Sequence, residues 1–172
     1  EKLRVDSKRV KLSEKNLKRV KKEREVLSKV YHSGSKVPLF TEKFRYPLRT
    51  KVTSRYGVKR IFNGVRKSQH LGIDFRAKTG RKIPVANSGN VALARNLFFT
   101  GNTVIVEHGS GIFTLYAHLS RVLVSEGDVI ETGRIVGLAG KTGRVTGPHL
   151  HWGVKVHGNW VNGNSLVALK IP

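Results

Sequence analysis

The hydrophobic pattern divides the chain into two parts. Over residues 1–36, apolar side chains recur mostly every three or seven positions between basic residues, which predicts one thin amphipathic helix. The turn at residues 33–35 and the following Pro38 end this helix. We interpret the segment as a basic helical extension, solvated as a linker. The alternatives are packing on the next domain, contact with an anionic surface, and the tail of a longer coiled coil. The apolar stripe consists of Leu3, Val10, Leu17, Val20, Leu27 and Tyr31.

From about Val37 the pattern changes to short runs rich in Val, Ile, Phe, Tyr and Trp, separated by Gly-containing turns. Short strands at this spacing favour an antiparallel β sandwich or barrel rather than alternating strands and helices. We therefore predict one mostly β domain over residues 37–172. Its candidate strands are Val91–Ala94, Thr103–Glu107, Phe113–His118, Val122–Val124, Arg134–Ala139, His149–Val156 and Asn159–Val161.

Charge is the strongest feature of the composition. The 172 residues contain 33 Lys and Arg against 11 Asp and Glu, a net charge of +22. Such a charge favours contact with nucleic acid, acidic wall polymers or an anionic membrane surface. The basic helix has neither the heptads nor the fork of a basic zipper, so we predict no specific nucleic-acid binding. We take the charge as adhesion to anionic envelope polymers or to a membrane surface.

Absent residue types exclude several classes of protein. The chain has no Cys, which excludes a disulfide framework, a zinc ribbon and a thiol nucleophile. No apolar run approaches the roughly 20 residues of a membrane span, so we expect a soluble chain without a transmembrane segment. The absence of Met is what removal of a signal peptide would leave.

Other catalytic and carrier motifs fail at specific positions. The chain contains no His-Glu-x-x-His and no nucleophile elbow. The Gly-rich hairpin at residues 126–133 is similar to those of biotinyl and lipoyl carrier domains. Lys141 is the nearest candidate for the cofactor attachment, but it has no flanking Met. A carrier domain is therefore a minor alternative.

The histidines are the main candidates for metal binding and catalysis. Alternate residues of a strand share a face, so His149 and His151 project together, and an extended chain would place His70 and Asp74 together as well. Two imidazoles and one carboxylate make a three-ligand site that suits Zn²⁺, with water in the fourth position at a pKa of about 7. Each group alone also has a structural interpretation. His149 and His151 fit a surface or cross-strand pair, His70 and Asp74 fit a hydrogen-bonded pair, and His118 fits a half-buried histidine. The opposite face, predicted to pack inward, carries Leu71, Ile73 and Leu150.

From about Phe44 to Leu166 the chain resembles the LytM/lysostaphin-type zinc metallopeptidases, which cut peptide bonds in peptidoglycan. The most specific signatures are His-x-x-x-Asp at residues 70–74 and Gly-Pro-His-Leu-His at residues 147–151, with Ala-His-Leu-Ser at residues 117–120 between them. The resemblance implies a small, mostly antiparallel β domain with a narrow groove across one sheet. Further matching stretches lie at residues 52–57, 84–86, 104–108, 126–129, 133–137 and 142–146.

By position, the resemblance implies that His70, Asp74 and His151 bind one zinc ion. His118 and His149 then stand beside the metal without binding it. We assign general acid/base catalysis to His149 and oxyanion or water positioning to His118. The implied activity is a zinc-dependent endopeptidase that hydrolyses peptide bonds in peptidoglycan cross-links or stem peptides by metal-activated water.

The alternative function is a non-catalytic LytM-like module that binds the wall or activates another wall hydrolase. Its usual mark is a missing ligand, whereas here all five positions are filled. Phe98 and Phe99 replace a Gly-rich loop of the family and either line the groove or pack on the sheet. A peptidoglycan substrate implies a location in the cell envelope, periplasmic or secreted.

Overall fold

Antiparallel β-strands make up most of the regular structure in the computed structural model, which describes residues 1–169. The predicted mostly β fold with a basic N-terminal helix is confirmed. A 3-10 turn spans Ser7–Arg9, helix α1 spans Glu14–His32 and helix α2 spans Gly163–Ala168. The strands are β1 (Lys2–Leu3), β2 (Val52–Ser54), β3 (Lys59–Phe62), β4 (Arg66–Gln69), β5 (Ile73–Arg76), β6 (Lys82–Pro84), β7 (Gly89–Leu97), β8 (Gly101–Glu107), β9 (Ile112–Val122), β10 (Val129–Ile130), β11 (Ile135–Ala139), β12 (His149–Val156) and β13 (Asn159–Val161).

One large sheet forms the body of the protein. Its strands are hydrogen-bonded in the order β10-β7-β8-β9-β12-β5-β2, and every neighbouring pair is antiparallel. The sheet branches at β9, because β11 pairs with both β9 and β6, while β13 extends it from β12. A second sheet has the order β1-β3-β4, with β1 parallel to β3.

Strand β9 separates two hydrophobic clusters. Side chains alternate across a strand, and Tyr116 belongs to the larger cluster while Phe113 and Leu115 belong to the smaller one. Burial of both faces explains why this segment is an almost continuous apolar run rather than an alternating one. The larger cluster also contains Trp152 and Leu150 of the neighbouring β12, so the strand that carries two of the site histidines is anchored in the core.

Helix α1 covers the smaller cluster. Ser13 caps the helix by accepting a hydrogen bond from the Asn16 amide at 3.3 Å. The ring centroid of Tyr31 lies 5.3 Å from that of Phe113 and 5.9 Å from that of Trp160, in edge-to-face geometry. The expected solvated helix over residues 1–36 is thus a shorter helix that packs on the sheet. The division of the chain at residue 36 stays a prediction. Val26, Leu27 and Val30 also contact this cluster.

The residues before α1 are not helical. Leu3 lies in β1 and Val10 follows the 3-10 turn, so the helix that the apolar spacing predicted over the first twelve residues is not formed. Pairing of β1 with β3 supplies the backbone hydrogen bonds that a helix would otherwise make. Within residues 1–169, no helix combines the length and the apolar character that crossing a bilayer requires.

Two further expectations about strands are wrong. Val122–Val124 is not a separate strand, because β9 runs without interruption to Val122. Leu71 is 36% exposed rather than packed inward, whereas Ile73 and Leu150 are buried as predicted. The short segments that form β2 to β6 carry too few apolar residues to be recognised as strands; β3 and β4 pair with each other, while β2 pairs with β5 and β6 pairs with β11.

Candidate metal centre

Three donor atoms lie within hydrogen-bonding distance of one another on one face of the large sheet. His70 Nε2 and His151 Nδ1 lie 2.9 Å and 2.8 Å from Asp74 Oδ1, and the two nitrogens are 3.0 Å apart. Within the described residues, no other group of three His, Cys, Asp or Glu residues brings its ligand atoms within 4.8 Å of one another. Two imidazole nitrogens and a carboxylate oxygen suit Zn²⁺, so these donors fit one such ion.

Strand register brings two of these residues together. β12 lies between β5 and β9, and His151 of β12 pairs directly with Asp74 of β5. His149 precedes His151 by two residues, so its side chain shares the same face. His70 lies outside the strands, in the connection from β4 to β5, and its Nε2 lies 2.9 Å from Asp74 Oδ1, so these two side chains lie together as expected. The short connection between the two strands, which bends at Gly72, therefore carries His70.

Gly72 makes room for the ring of His151. A Cβ on Gly72 would lie 2.6 Å from His151 Cε1 and 2.5 Å from the carbonyl oxygen of Trp152. Both distances are far below van der Waals contact, so any side chain at this position would displace the ring or the backbone of β12. The glycine between the two predicted ligands is therefore part of the site.

The carboxylate of Asp74 is buried and fully engaged. Its Oδ2 accepts a hydrogen bond of 2.6 Å from Arg60 Nη2, while its Oδ1 faces the two histidines. Burial by itself would raise the pKa of Asp74, but hydrogen bonds to His151 and His70 hold that pKa well below its usual range. Burial lowers the pKa of His151, which favours the neutral imidazole that a metal requires.

His118 reaches the site through a β-bulge. Leu119 pairs with Asn102 and Tyr116 pairs with Val104, so β9 carries one residue more than β8 at this point. The φ angle of His118 is +63°, in the left-handed region that side chains other than glycine rarely adopt. The bulge also reverses the alternation, since Tyr116 and Leu119 both enter the larger cluster. Backbone distortion thus aims the imidazole at the groove.

His118 and His149 share one tautomer of the neutral ring. His118 Nδ1 lies 2.8 Å from the carbonyl oxygen of Thr142, and His149 Nδ1 lies 2.9 Å from that of Gly147. A carbonyl only accepts hydrogen bonds, so each Nδ1 carries the proton and each Nε2 has a free lone pair in the neutral ring. Burial, then the charges of His149 and His151, holds the pKa of His118 well below its ordinary value.

Geometry places both of these rings beside the donor cluster. The ring centroid of His118 lies 4.9 Å from that of His149 and 5.9 Å from that of His151. His149 Nε2 lies 3.6 Å from Asp74 Oδ2, beyond hydrogen-bonding distance. The structure thus brings all five predicted site residues together, three with touching donor atoms and two alongside.

Two cavities flank the site, of about 300 Å³ and about 240 Å³. Asp74 and His149 border the first, and His70 and His151 border the second. Together they form the groove that the resemblance implies. The side chains that border both cavities are Arg60, Phe62, His118 and Arg144.

The N-terminal region contributes to both cavities. Glu1, Leu3 and Val5 line the first, while Leu27 and Tyr31 of α1 line the second. The Glu1 carboxylate accepts hydrogen bonds from Ser54 Oγ at 2.7 Å and from Arg60 Nε at 3.0 Å. The groove thus already holds one carboxylate. Arg60 and Ser54, which bind it, also contact Asp74 and His70.

The aromatic pair after β7 has two different roles. Phe98 is buried, is absent from the lining of either cavity and lies under the guanidinium of Arg9, whose Cζ is 4.4 Å from the ring centroid. Phe99 lines the second cavity. Of the two roles expected for this pair, Phe98 therefore packs and Phe99 lines the groove.

Three polar contributors to the site escape sequence reasoning. Arg60 holds Asp74, Ser54 Oγ lies 3.3 Å from His70 Nδ1, and Arg144 borders both cavities. Ser54 and Arg144 fall within stretches that match the family, which is a weak signal for their roles. Arg60 lies in a basic run of β3 with nothing to single it out.

Comparison with known proteins finds a matching family and several curated relatives. Residues 68–163, more than half of the chain, match the model of Peptidase family M23. Over 134 residues the chain is 38% identical to peptidoglycan DD-endopeptidase ShyA of Vibrio cholerae, a match that covers 74% of this chain and 31% of that protein. The chain spans about a third of the length of the first curated relatives that it matches.

Two solved structures share the fold. A zinc-containing peptidase from Vibrio cholerae superposes with a TM-score of 0.66 and 34% identity, over 77% of this chain and 41% of that one. The catalytic domain of lysostaphin from Staphylococcus simulans superposes with a TM-score of 0.61 and 27% identity, over 70% of this chain and 93% of that one. The resemblance to LytM/lysostaphin-type peptidases is confirmed, and the chain belongs to Peptidase family M23.

Proposed function

We propose that this domain is a zinc-dependent endopeptidase that hydrolyses peptide bonds in peptidoglycan cross-links or stem peptides. The observation that carries the proposal is the convergence of His70, Asp74 and His151 beside two further histidines in an open groove. The similarity to a peptidoglycan DD-endopeptidase supports the choice of substrate.

His70, Asp74 and His151 would hold the single zinc ion. Bound there, zinc supplies a Lewis acid that polarises a carbonyl group and acidifies a water molecule. Arg60 orients the carboxylate by its 2.6 Å hydrogen bond to Asp74 Oδ2. Ser54 Oγ, at 3.3 Å, and the carbonyl oxygen of Arg55, at 2.7 Å, hold His70 Nδ1, which leaves Nε2 as the donor toward the metal.

The environments of the two remaining histidines suggest a division of labour. His118 is kept neutral by burial, so its Nε2 accepts a hydrogen bond and suits the positioning of a water molecule. The side chain of His149 is 16% exposed, and its Nε2 faces the groove 3.6 Å from Asp74 Oδ2. This nitrogen borders the groove beside the predicted metal ligands without contacting their donor atoms, so we assign to His149 the proton transfer to the leaving amine.

The location and the adhesion of the protein follow as proposals from its substrate. Peptidoglycan lies outside the cytoplasmic membrane, so we propose a cell-envelope location, periplasmic or secreted. The net charge of +22 would add adhesion to anionic envelope polymers or to a membrane surface. A non-catalytic wall-binding or activator module is the second candidate, and the filled set of five site residues argues against it.

Digestion of purified cross-linked peptidoglycan, with and without a zinc chelator, tests the activity. We expect chelator-sensitive fragments with new peptide termini, and mass spectrometry of these fragments identifies the bond that is cut. His151→Ala is the matched inactive control. Zinc-loaded protein that binds the wall but releases no fragment from walls of several chemotypes would refute the proposed activity and favour the non-catalytic module.

A further inference from the structure

Arg144 is held over the groove by two aromatic rings. Its Cζ lies 4.2 Å from the ring centroid of Phe62 and 4.5 Å from that of Phe99. Its backbone amide donates a hydrogen bond of 2.8 Å to the carbonyl oxygen of Phe99. These contacts fix a planar guanidinium group at the junction of the two cavities, next to His118.

The guanidinium of Arg144 is charged but uncompensated. Its Nη1 is buried and has no hydrogen-bond partner among residues 1–169. Burial, followed by the charges of Arg66 and Arg60, lowers the pKa of Arg144 to about 10, so it stays positive at neutral pH. Buried polar groups in proteins are almost always paired, and an unpaired charged donor at a binding cavity indicates a partner that arrives with the ligand.

The charges nearby show what kind of partner fits. Arg60, on the same wall, pairs with the carboxylates of Glu1 and Asp74, whereas no carboxylate within the described residues pairs with Arg144. The Glu1 carboxylate shows that a carboxylate can sit in this groove on an arginine. A guanidinium fork matches the two oxygens of a carboxylate, and a peptide carries such groups on acidic side chains and at chain ends.

We propose that Arg144 binds a carboxylate of the substrate and makes this site select acidic peptides over amidated ones. The inference rests on the proposed peptidase function and adds a specificity-determining residue to it. Arg144 has the free donor, the position beside His118 and the aromatic support that such a role requires. The competing view is that Arg144 only holds the loop between β11 and β12 in place through its two rings.

Two synthetic probes separate these roles. One is a cross-linked stem-peptide dimer with free carboxylates, and the other is the same dimer with carboxamides at those positions. The dissociation constants are measured by calorimetry with a chelator present, because a metal ion would itself bind carboxylates. The proteins compared are the wild type, Arg144→Gln, Arg144→Lys and Arg66→Gln, which removes a nearby exposed charge that lines neither cavity.

We expect the wild type to bind the carboxylate dimer about ten- to a hundredfold more tightly than the amidated dimer, as a charge-assisted hydrogen bond predicts. Arg144→Gln should abolish this preference, Arg144→Lys should reduce it and Arg66→Gln should keep it. Equal affinities in the wild type, or equal weakening of both dimers by Arg144→Gln, would overturn the proposal.

Cleavage of the same dimers by zinc-loaded protein is read separately. If neither dimer is cut, the proposed peptidase activity fails, while the preference in binding still decides the role of Arg144. If both are cut, kcat/KM should favour the carboxylate dimer by the same ten- to hundredfold, and only in proteins that keep an arginine at position 144.

Discussion

Two buried histidines, one beside the β8–β9 turn and one in β9, differ in what their rings contact. His108 lies in the core, with Nδ1 2.7 Å from the carbonyl oxygen of Ser88 and Nε2 2.7 Å from Thr114 Oγ1. His118 lies at the groove, with Nδ1 bonded to the carbonyl oxygen of Thr142. No hydrogen bond within residues 1–169 engages His118 Nε2. Burial lowers the pKa of both rings, so neither burial nor pKa distinguishes them.

The two histidines differ in the contacts of Nε2 and in their backbone conformation. Both nitrogens of His108 are bonded, and Thr114 Oγ1 continues the network to the Tyr116 hydroxyl at 2.9 Å. A fully satisfied network of this kind stabilises a core and leaves no free hydrogen-bond donor or acceptor for a ligand. His118 keeps a free lone pair, and the bulge around it holds a φ of +63°. The strained backbone together with the unused Nε2 is the reason for proposing His118, and not His108, as a functional residue.

Removal of a predicted ligand should have the largest effect. His151→Ala should reduce hydrolysis of peptidoglycan to background and abolish zinc binding, because two donors do not hold the ion. Metal content and competition with a chromophoric chelator measure the binding. His108→Ala is the control and should keep the zinc. If His151→Ala still bound one zinc ion with wild-type affinity, the ligand set would be wrong.

Substitution of His118 should impair turnover without loss of metal. We expect His118→Gln to lower kcat about a hundred- to thousandfold, the usual cost of one positioned polar group at a reacting centre. Zinc stoichiometry, measured alongside kcat, should stay at the wild-type level. A variant with wild-type kcat would exclude His118 from the reaction.

Truncation of the core histidine should act on stability alone. His108→Ala leaves the Ser88 carbonyl without a partner, removes one of the two partners of the Thr114 hydroxyl and opens a cavity, for a loss of about 3 kcal/mol in the free energy of unfolding. Urea denaturation with chelator present measures this loss. At a temperature well below the melting point, kcat should stay within about twofold of the wild type, and a larger drop would contradict a purely structural role.

Acid should weaken the fold through the same core histidine. Burial lowers the pKa of His108 to about 4 in the folded state, against about 6.5 in the unfolded chain. The unfolded state therefore binds more protons between these values, so this contribution to stability is full above pH 6.5 and declines as the pH falls toward 4. From pH 7 to pH 5 the loss should be about 2 kcal/mol.

His108→Gln serves as the comparison for this pH dependence. It has no titrating ring, so its unfolding free energy should change less over the same range of pH than that of the wild type. Equal slopes for the two proteins would assign the acid sensitivity to other groups.

Local spacing in the sequence was sufficient for part of the site. His149 and His151 share a face because side chains alternate along a strand, and the structure confirms a strand over exactly the predicted residues 149–156. The helix end near residue 32 was also predictable from the Ser-Gly-Ser turn that follows it. The roles assigned to the five site residues stay predictions, although the structure brings these residues together.

Pairing and packing between distant segments decided the rest. No local sequence pattern shows that His70 lies between β4 and β5 or that an extra residue in β9 turns His118 toward the groove. The contact of Arg60 with Asp74 is equally invisible in the sequence. Helix α1 covers the second cluster because the sheet offers it an apolar face. The sequence by itself determined the fold class, the basic helix and the chemistry available. Only the tertiary structure decided which atoms meet, because register, bulges and burial depend on partners far away in the chain.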